Sequence, residues 1–144
     1  LAVPVHLFVR GPQYPDLWLD KVPILDIFTL VACIIGLYFY AKNWQATRSQ
    51  TLLLLFGASF ILVGLGGVVS LSAVVALAYV FAAAGIAYLL TDWLKVFPLN
   101  PLARGLGILL ITIAVLLSCA YNLRSYFIAW PHNDATRVTF RYHR

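Results

Sequence analysis

Very few side chains of this chain could do chemistry. Asp26 is the one acid inside a long apolar run, and Arg104 and Arg124 bracket another such run. An acid in a membrane-spanning segment is a functional candidate by default. Asp26 also has a structural reason to be there, since a carboxylate in the first turn of a helix, close to Lys21, is favoured by the helix dipole. Arginine can grip a phosphate with a bidentate fork, so Arg104 and Arg124 are candidates for a lipid phosphate, with plain interfacial anchoring as the simpler role. His6, His132 and His143 are never paired at i, i+4, so they offer no metal ligands of helical spacing. His132 with Asp134 makes half of an acid–base pair but lacks a nucleophile. Cys33 and Cys119 each lie midway along an apolar run and read as small buried hydrophobes rather than a disulfide. There are no paired carboxylates in one loop, no glycine-rich phosphate cradle and no Ser/His/Asp set. No metal site, cofactor or catalytic constellation is expected.

The elements that hold these residues follow from composition. Of 144 residues, 62% are hydrophobic and only 10% charged, all five acids being Asp, and the mean hydropathy is +0.90. A soluble domain is about a quarter charged, and a chain this small could not cover such a composition with polar surface in water. The sequence therefore excludes a soluble enzyme domain, a disordered tail and a disulfide-stapled secreted module. The net charge of +5 is scattered in pairs instead of forming one basic face, which argues against a nucleic-acid partner. The solvent is a bilayer.

The fold class predicted is an all-α integral membrane protein, a bundle of four transmembrane helices. Residues 1–21 form a Pro-rich extramembrane segment, 22–130 the membrane domain and 131–144 a polar basic tail. The spans fall at about 22–41, 50–65, 72–90 and 105–130. Pro23 suits a first helical position, and Lys42 and Arg48 close the first span. No charged side chain occurs from Ser49 to Thr91, a length that needs two helices, and Gly64, Gly66, Gly67, Ser70 and Ser72 place the turn. Arg104 and Arg124 are twenty residues apart, about 30 Å of helix, which matches the hydrocarbon thickness. Trp18 and Trp44 flank the first span, and Trp93 and Trp130 the last two, where interfacial anchors belong. The third span is crowded with Ala73, Ala76, Ala78, Ala82, Ala83, Ala84, Gly85 and Ala87. Small residues let helices approach closely in lipid, so it is the packing helix, through Ala78, Ala82 and Gly85, and Gly57 and Gly64 of the second span supply the matching face.

Connections 42–50 and 91–104 carry two Lys/Arg each and the turn between spans two and three carries none. The positive-inside rule puts those connections in the cytoplasm and both termini outside, although Arg124, Arg137, Arg141 and Arg144 pull the other way. The chain opens at Leu1 and contains no Met, which predicts a processed terminus or a piece of something longer. No chain of Asp, Glu or His crosses the membrane and no internal repeat occurs, which argues against a pump or transporter.

One stretch is more specific than its composition. Phe97-Pro98-Leu99-Asn100-Pro101-Leu102-Ala103-Arg104 precedes the last span, and Arg124-Ser125-Tyr126-Phe127-Ile128-Ala129-Trp130-Pro131 follows its core. This pattern resembles the closing membrane segment of bacterial polytopic glycosyltransferases that use polyprenyl-phosphate sugars, the C-type membrane fold, over roughly residues 51–131. The resemblance implies a bacterial plasma-membrane location and a polyprenyl-phosphate lipid as partner. That family's catalytic carboxylates sit in an early extracytoplasmic loop that nothing in 1–21 matches, so no catalytic residue carries over. The sequence is thus read as a non-catalytic module of the glycosyltransferase class, contacting lipid phosphate through Arg104 or Arg124. The alternative is a small accessory subunit that docks other membrane subunits.

Overall fold

In the computed structural model, residues 23–66 and 71–132 are described, and for Trp130 the backbone alone. The expected segment 1–21, residues 133–144 of the expected tail 131–144, Trp18, and the side chain of Trp130 lie outside the described residues.

Every regular element among the described residues is helical. Helix α1 spans Ile27–Lys42, α2 Thr47–Gly66, α3 Leu71–Val96 and α4 Pro101–Arg124, and α4 continues through a π-helical turn at Ser125–Ala129 into the short turn Trp130–His132. Three of these helices, Thr47–Gly66, Leu71–Val96 and Pro101–Ala129, are long and apolar enough to cross a membrane. Helix α1 is apolar but has 16 residues, about 24 Å, short of the roughly 30 Å of a hydrocarbon core.

The helix ends have local causes. Pro23 is not the first helical residue, because residues 23–26 are irregular and α1 starts only after Asp26. An Asp immediately before a helix is a favoured stop for the incoming chain. Helix α3 runs past the last apolar residue of its expected span, through Asp92, Trp93 and Lys95 to Val96. What ends it is Phe97-Pro98, since a residue before proline is driven out of the helical region. Helix α4 starts at Pro101 with Asn100 before it, the Oδ1 of Asn100 accepting from the N–H groups of Leu102 and Ala103, each at 3.1 Å. Proline at the first helical position lacks only an N–H that would be orphaned anyway.

The chain divides into two compact units, Phe28–Val115 and a second drawn from Leu1–Ile27 and Leu116–Arg144. In the first, α1 and α3 run parallel, Gly36 lying against Gly85 and the ring of Phe39 against Tyr88 at 5.1 Å. Phe81, with no exposed surface, is the hub. Tyr40 of α1 meets its ring edge-on at 5.4 Å, and Phe56 of α2 meets it at 4.9 Å, itself backed by Phe60. Around this hub small side chains make up much of the interior, Thr29, Ala32, Cys33 and Gly36 on α1, Ser59 on α2, Ala78, Ala82 and Gly85 on α3, joined by Val63, Leu71 and Val74. Meanwhile Leu54, Leu55, Ile61, Leu62 and Leu65 of α2 point outward.

This distribution inverts that of a water-soluble bundle. Large apolar side chains left in water forgo about 25 cal/mol for each Å² that could be buried, whereas in lipid they are already solvated. Helices in lipid then gain most by bringing small residues together. The protein is an all-helical integral membrane protein.

Candidate functional site

Two groups of polar side chains are built into this apolar framework, one in each unit. The first is the corner between α3 and α4. The indole Nε1–H of Trp93 donates to the Ala103 carbonyl at 2.9 Å, and the ring covers Gly107, where a Cβ would collide with the indole Nε1 and Cδ1. Phe97 stacks on the same indole at 5.0 Å, and the Phe97 N–H donates to the Trp93 carbonyl at 3.2 Å. Asn100 closes the start of α4 as described above. The corner is thus pinned from both helices, with few free torsions.

Arg104 stands in the first turn of α4, exposed, and its Nη1–H donates to the Pro98 carbonyl at 3.3 Å. That contact uses one of five guanidinium N–H groups. No acidic side chain among the described residues pairs with it. Lys95 and Asp92 are exposed on the preceding turn. Because α1 and α3 are parallel, Lys42 and Arg48 belong to the same end of this unit as Lys95 and Arg104. So do Trp44, half exposed, and Trp93. The opposite end carries no charged side chain among its described residues. What this end offers chemically is an excess of positive charge, Lys42, Arg48, Lys95 and Arg104 against Asp92, with the indoles of Trp44 and Trp93 at the same end.

The second group lies in the other unit. The Ser118 hydroxyl donates to Asp26 Oδ1 at 2.9 Å, and the Asn122 amide donates to the Ser118 carbonyl at 2.9 Å. Ser125, 7% exposed, follows on the same side of the helix where the π-helical turn begins. Asp26 therefore sits just ahead of α1 and is held by a side chain from inside the span Pro101–Ala129. Arg124 is exposed at the end of α4, and His132 Nδ1–H donates to the Ile128 carbonyl at 2.7 Å. Asp134, its suggested acid–base partner, lies outside the described residues.

The remaining expected residues fall as follows. Ala78, Ala82 and Gly85 are buried, and Gly85 meets Ala32 and Gly36 of α1. Gly57 and Gly64 are exposed on α2, where a Cβ would meet nothing within 4 Å. The partner of the small-residue helix is thus Gly36, which the sequence analysis did not single out, although Ala32 and Gly36 have the small-xxx-small spacing that would have found it. Ser118, Asn122 and Ser125 were likewise legible, as three polar residues at i, i+4 and i+7 in an apolar helix. Cys33 and Cys119 are both free thiols, the first buried and the second exposed. The described residues hold no group of three or more His, Cys, Asp or Glu that could bind a metal. No protein-family model, curated protein or solved structure matches the chain.

Proposed function

We propose that this chain is a non-catalytic polytopic membrane module that contacts the phosphate of a lipid, of the polyprenyl-phosphate class, at the corner between α3 and α4. The observation that carries the reading is Arg104, exposed, and held by the Pro98 carbonyl through one N–H, with Lys95 also exposed at the end of the preceding helix. A guanidinium fixed at the start of a helix, at the depth marked by Trp93, meets a phosphate with little ordering left to do. The basic end of this unit then faces the cytoplasm, following the positive-inside rule. Arg124 serves as the second, weaker candidate contact. In this reading the chain contributes lipid contact and helix packing, and no step of sugar transfer is assigned to its residues.

The test is binding of a polyprenyl phosphate to the purified chain in nanodiscs, against the matching polyprenol without phosphate. The phosphate form should bind more tightly. Arg104→Ala should weaken it by about tenfold, the scale of hydrogen bonds to a charged group, while Arg104→Lys keeps part of the affinity. Equal binding of phosphate and alcohol, or an unchanged Arg104→Ala, overturns the reading.

The accessory-subunit reading draws on a different observation. The apolar window of α4 is 6% buried against 28% for α3, so α4 offers nearly all of its apolar surface to lipid or to helices of another subunit. On α3, Ala78, Ala82 and Gly85 are turned inward, whereas Ala73, Ala76, Ala83 and Ala87 are exposed and add small residues to such an outer face. Co-purification of a defined partner from the native membrane, lost on substituting outward-facing Leu109 and Leu116 by Ala, supports it.

A further inference from the structure

Helix α4 carries a pattern that the lipid-phosphate reading does not use. Leu102, Leu109, Leu116 and Leu123 recur at intervals of seven residues, and Gly105, Thr112 and Cys119 recur at the same interval, three residues behind them. A seven-residue repeat of this kind keeps one stripe on one side of a helix, the pattern by which two helices interlock. All seven residues are exposed, the four leucines at 54–85%. The stripe faces away from the chain's own packing. Leu109 lies two residues past buried Gly107, and Leu123 two residues before buried Ser125, about 200° of helix rotation in each case.

Lipid tails are as apolar as leucine and impose no seven-residue period, so solvation by the bilayer does not account for this order. Leucines alternating with small side chains put knobs, and the holes that receive them, on one face. A face that carries both is complementary to itself. Thr112 donates to the Ile108 carbonyl of its own helix at 2.8 Å, so it brings no unpaired donor into the stripe. Charge is kept out as well. Arg104 stands two residues after Leu102 and Arg124 one after Leu123, roughly 160° and 100° around the helix, so the cations of two paired copies stay apart.

From this we infer that the chain pairs with a second copy of itself, two α4 helices packing in parallel along residues 102–123. The bilayer sets the register. Copies inserted in one orientation hold identical residues at identical depth, so Leu109 meets Leu109 and Cys119 meets Cys119 without offset. Gly105, Thr112 and Cys119 then let the backbones come close, which is what holds helices together in lipid. The stripe offers on the order of 400 Å² on each copy, about half of the roughly 800 Å² per partner of a standard interface in water. Two copies already held to one plane and one orientation forfeit less freedom on pairing, so a smaller area suffices. The inference does not depend on the lipid-phosphate reading. It gives to a second copy the α4 surface that the accessory-subunit reading leaves to another protein.

The experiment is disulfide trapping of the full chain in the membranes of cells that express it, in a Cys33→Ala background, with copper phenanthroline as the oxidant. Helices 8–10 Å apart bring paired stripe Cα atoms to roughly 4–7 Å, the reach of a disulfide. Cys119 should therefore link two copies into a product of twice the chain's mass. Moving the thiol along the stripe, by Leu116→Cys with Cys119→Ser, should keep that product. Leu117→Cys with Cys119→Ser turns the thiol about 100° away and should form it about tenfold more slowly. Equal rates at 116, 117 and 119, or a rate that falls in proportion as the membrane is diluted with added lipid, mean random collision and overturn the inference. A product with a protein of different mass overturns it in favour of another subunit. No product from either Cys119 or Leu116→Cys overturns it outright.

Discussion

Gly36 and Gly85 bring the backbones of α1 and α3 into direct contact. A Cβ on Gly36 would run into the Phe81 carbonyl and the Gly85 nitrogen, and a Cβ on Gly85 into the Ala32 carbonyl and the Gly36 nitrogen. The relation is reciprocal, so neither residue can grow without the helices moving apart. In lipid, where apolar burial gives no drive for association, this close approach is the main source of helix–helix stability. Gly36→Ala and Gly85→Ala should each cost about 1–3 kcal/mol through overpacking, and Gly85→Leu more. Gly57→Ala, on the open face of α2, should be neutral or gain up to about 1 kcal/mol from helix propensity. Unfolding of the four variants in mixed micelles checks this. Equal losses at Gly57 and Gly85 would show that the glycines act through the backbone alone.

Phe81 offers a second test of the same packing. Its ring is held by Tyr40 and Phe56 on two other helices. Phe→Ala in a soluble core loses a transfer term and a cavity term; in lipid the transfer term largely falls away. Phe81→Ala should therefore cost about 2 kcal/mol, below the 3–5 kcal/mol usual for soluble cores. Phe127→Ala, on an outward-facing ring, should change stability little. Reversible unfolding in detergent measures both.

The corner between α3 and α4 separates a hydrogen bond from a packing contact. Trp93→Phe keeps a ring over Gly107 but loses the bond to the Ala103 carbonyl, and should cost about 1 kcal/mol. Gly107→Ala keeps the bond's donor but pushes the indole aside, so it should raise the exposure of Trp93. Its fluorescence should then shift to the red and quench more readily with iodide. Unchanged emission in Gly107→Ala would mean that the indole does not rest on this glycine.

Much of this was readable before any coordinates. The uncharged stretch from Ser49 to Thr91 requires two helices by length alone; the last helix, expected from about residue 105, starts four residues earlier at Pro101, behind the Asn100 cap. What escaped was pairing. Gly57 and Gly64 have the spacing of a packing face, but periodicity along one helix does not say which neighbour it meets, and Gly36 on α1 took that role. The start of α1 escaped for a related reason. Pro23 is a good first residue of a helix, yet Asp26 is bound by Ser118, ninety-two positions away, and no local rule contains that bond. Likewise α3 outran its apolar run because a helix stops where its backbone must, at Phe97-Pro98, and not where its hydropathy falls.

The orientation proposed for the basic end can be tested on Gln45, exposed in the turn between α1 and α2. Lys42 and Arg48 flank it, and at the same end stand Lys95 and Arg104. Short loops rich in Lys and Arg are retained in the cytoplasm because moving each cation across the bilayer is costly. A Gln45→Cys variant in a Cys33→Ala, Cys119→Ala background should resist a membrane-impermeant maleimide in intact cells and react once the membrane is opened. Replacing Lys42 and Arg48 together by Gln weakens the bias from this turn, leaving Lys95 and Arg104 to set it. Mixed orientation, with part of Gln45→Cys labelled from outside, is then expected. Full labelling in intact cells with all four cations present would reverse the assignment and place Arg104 on the outer face.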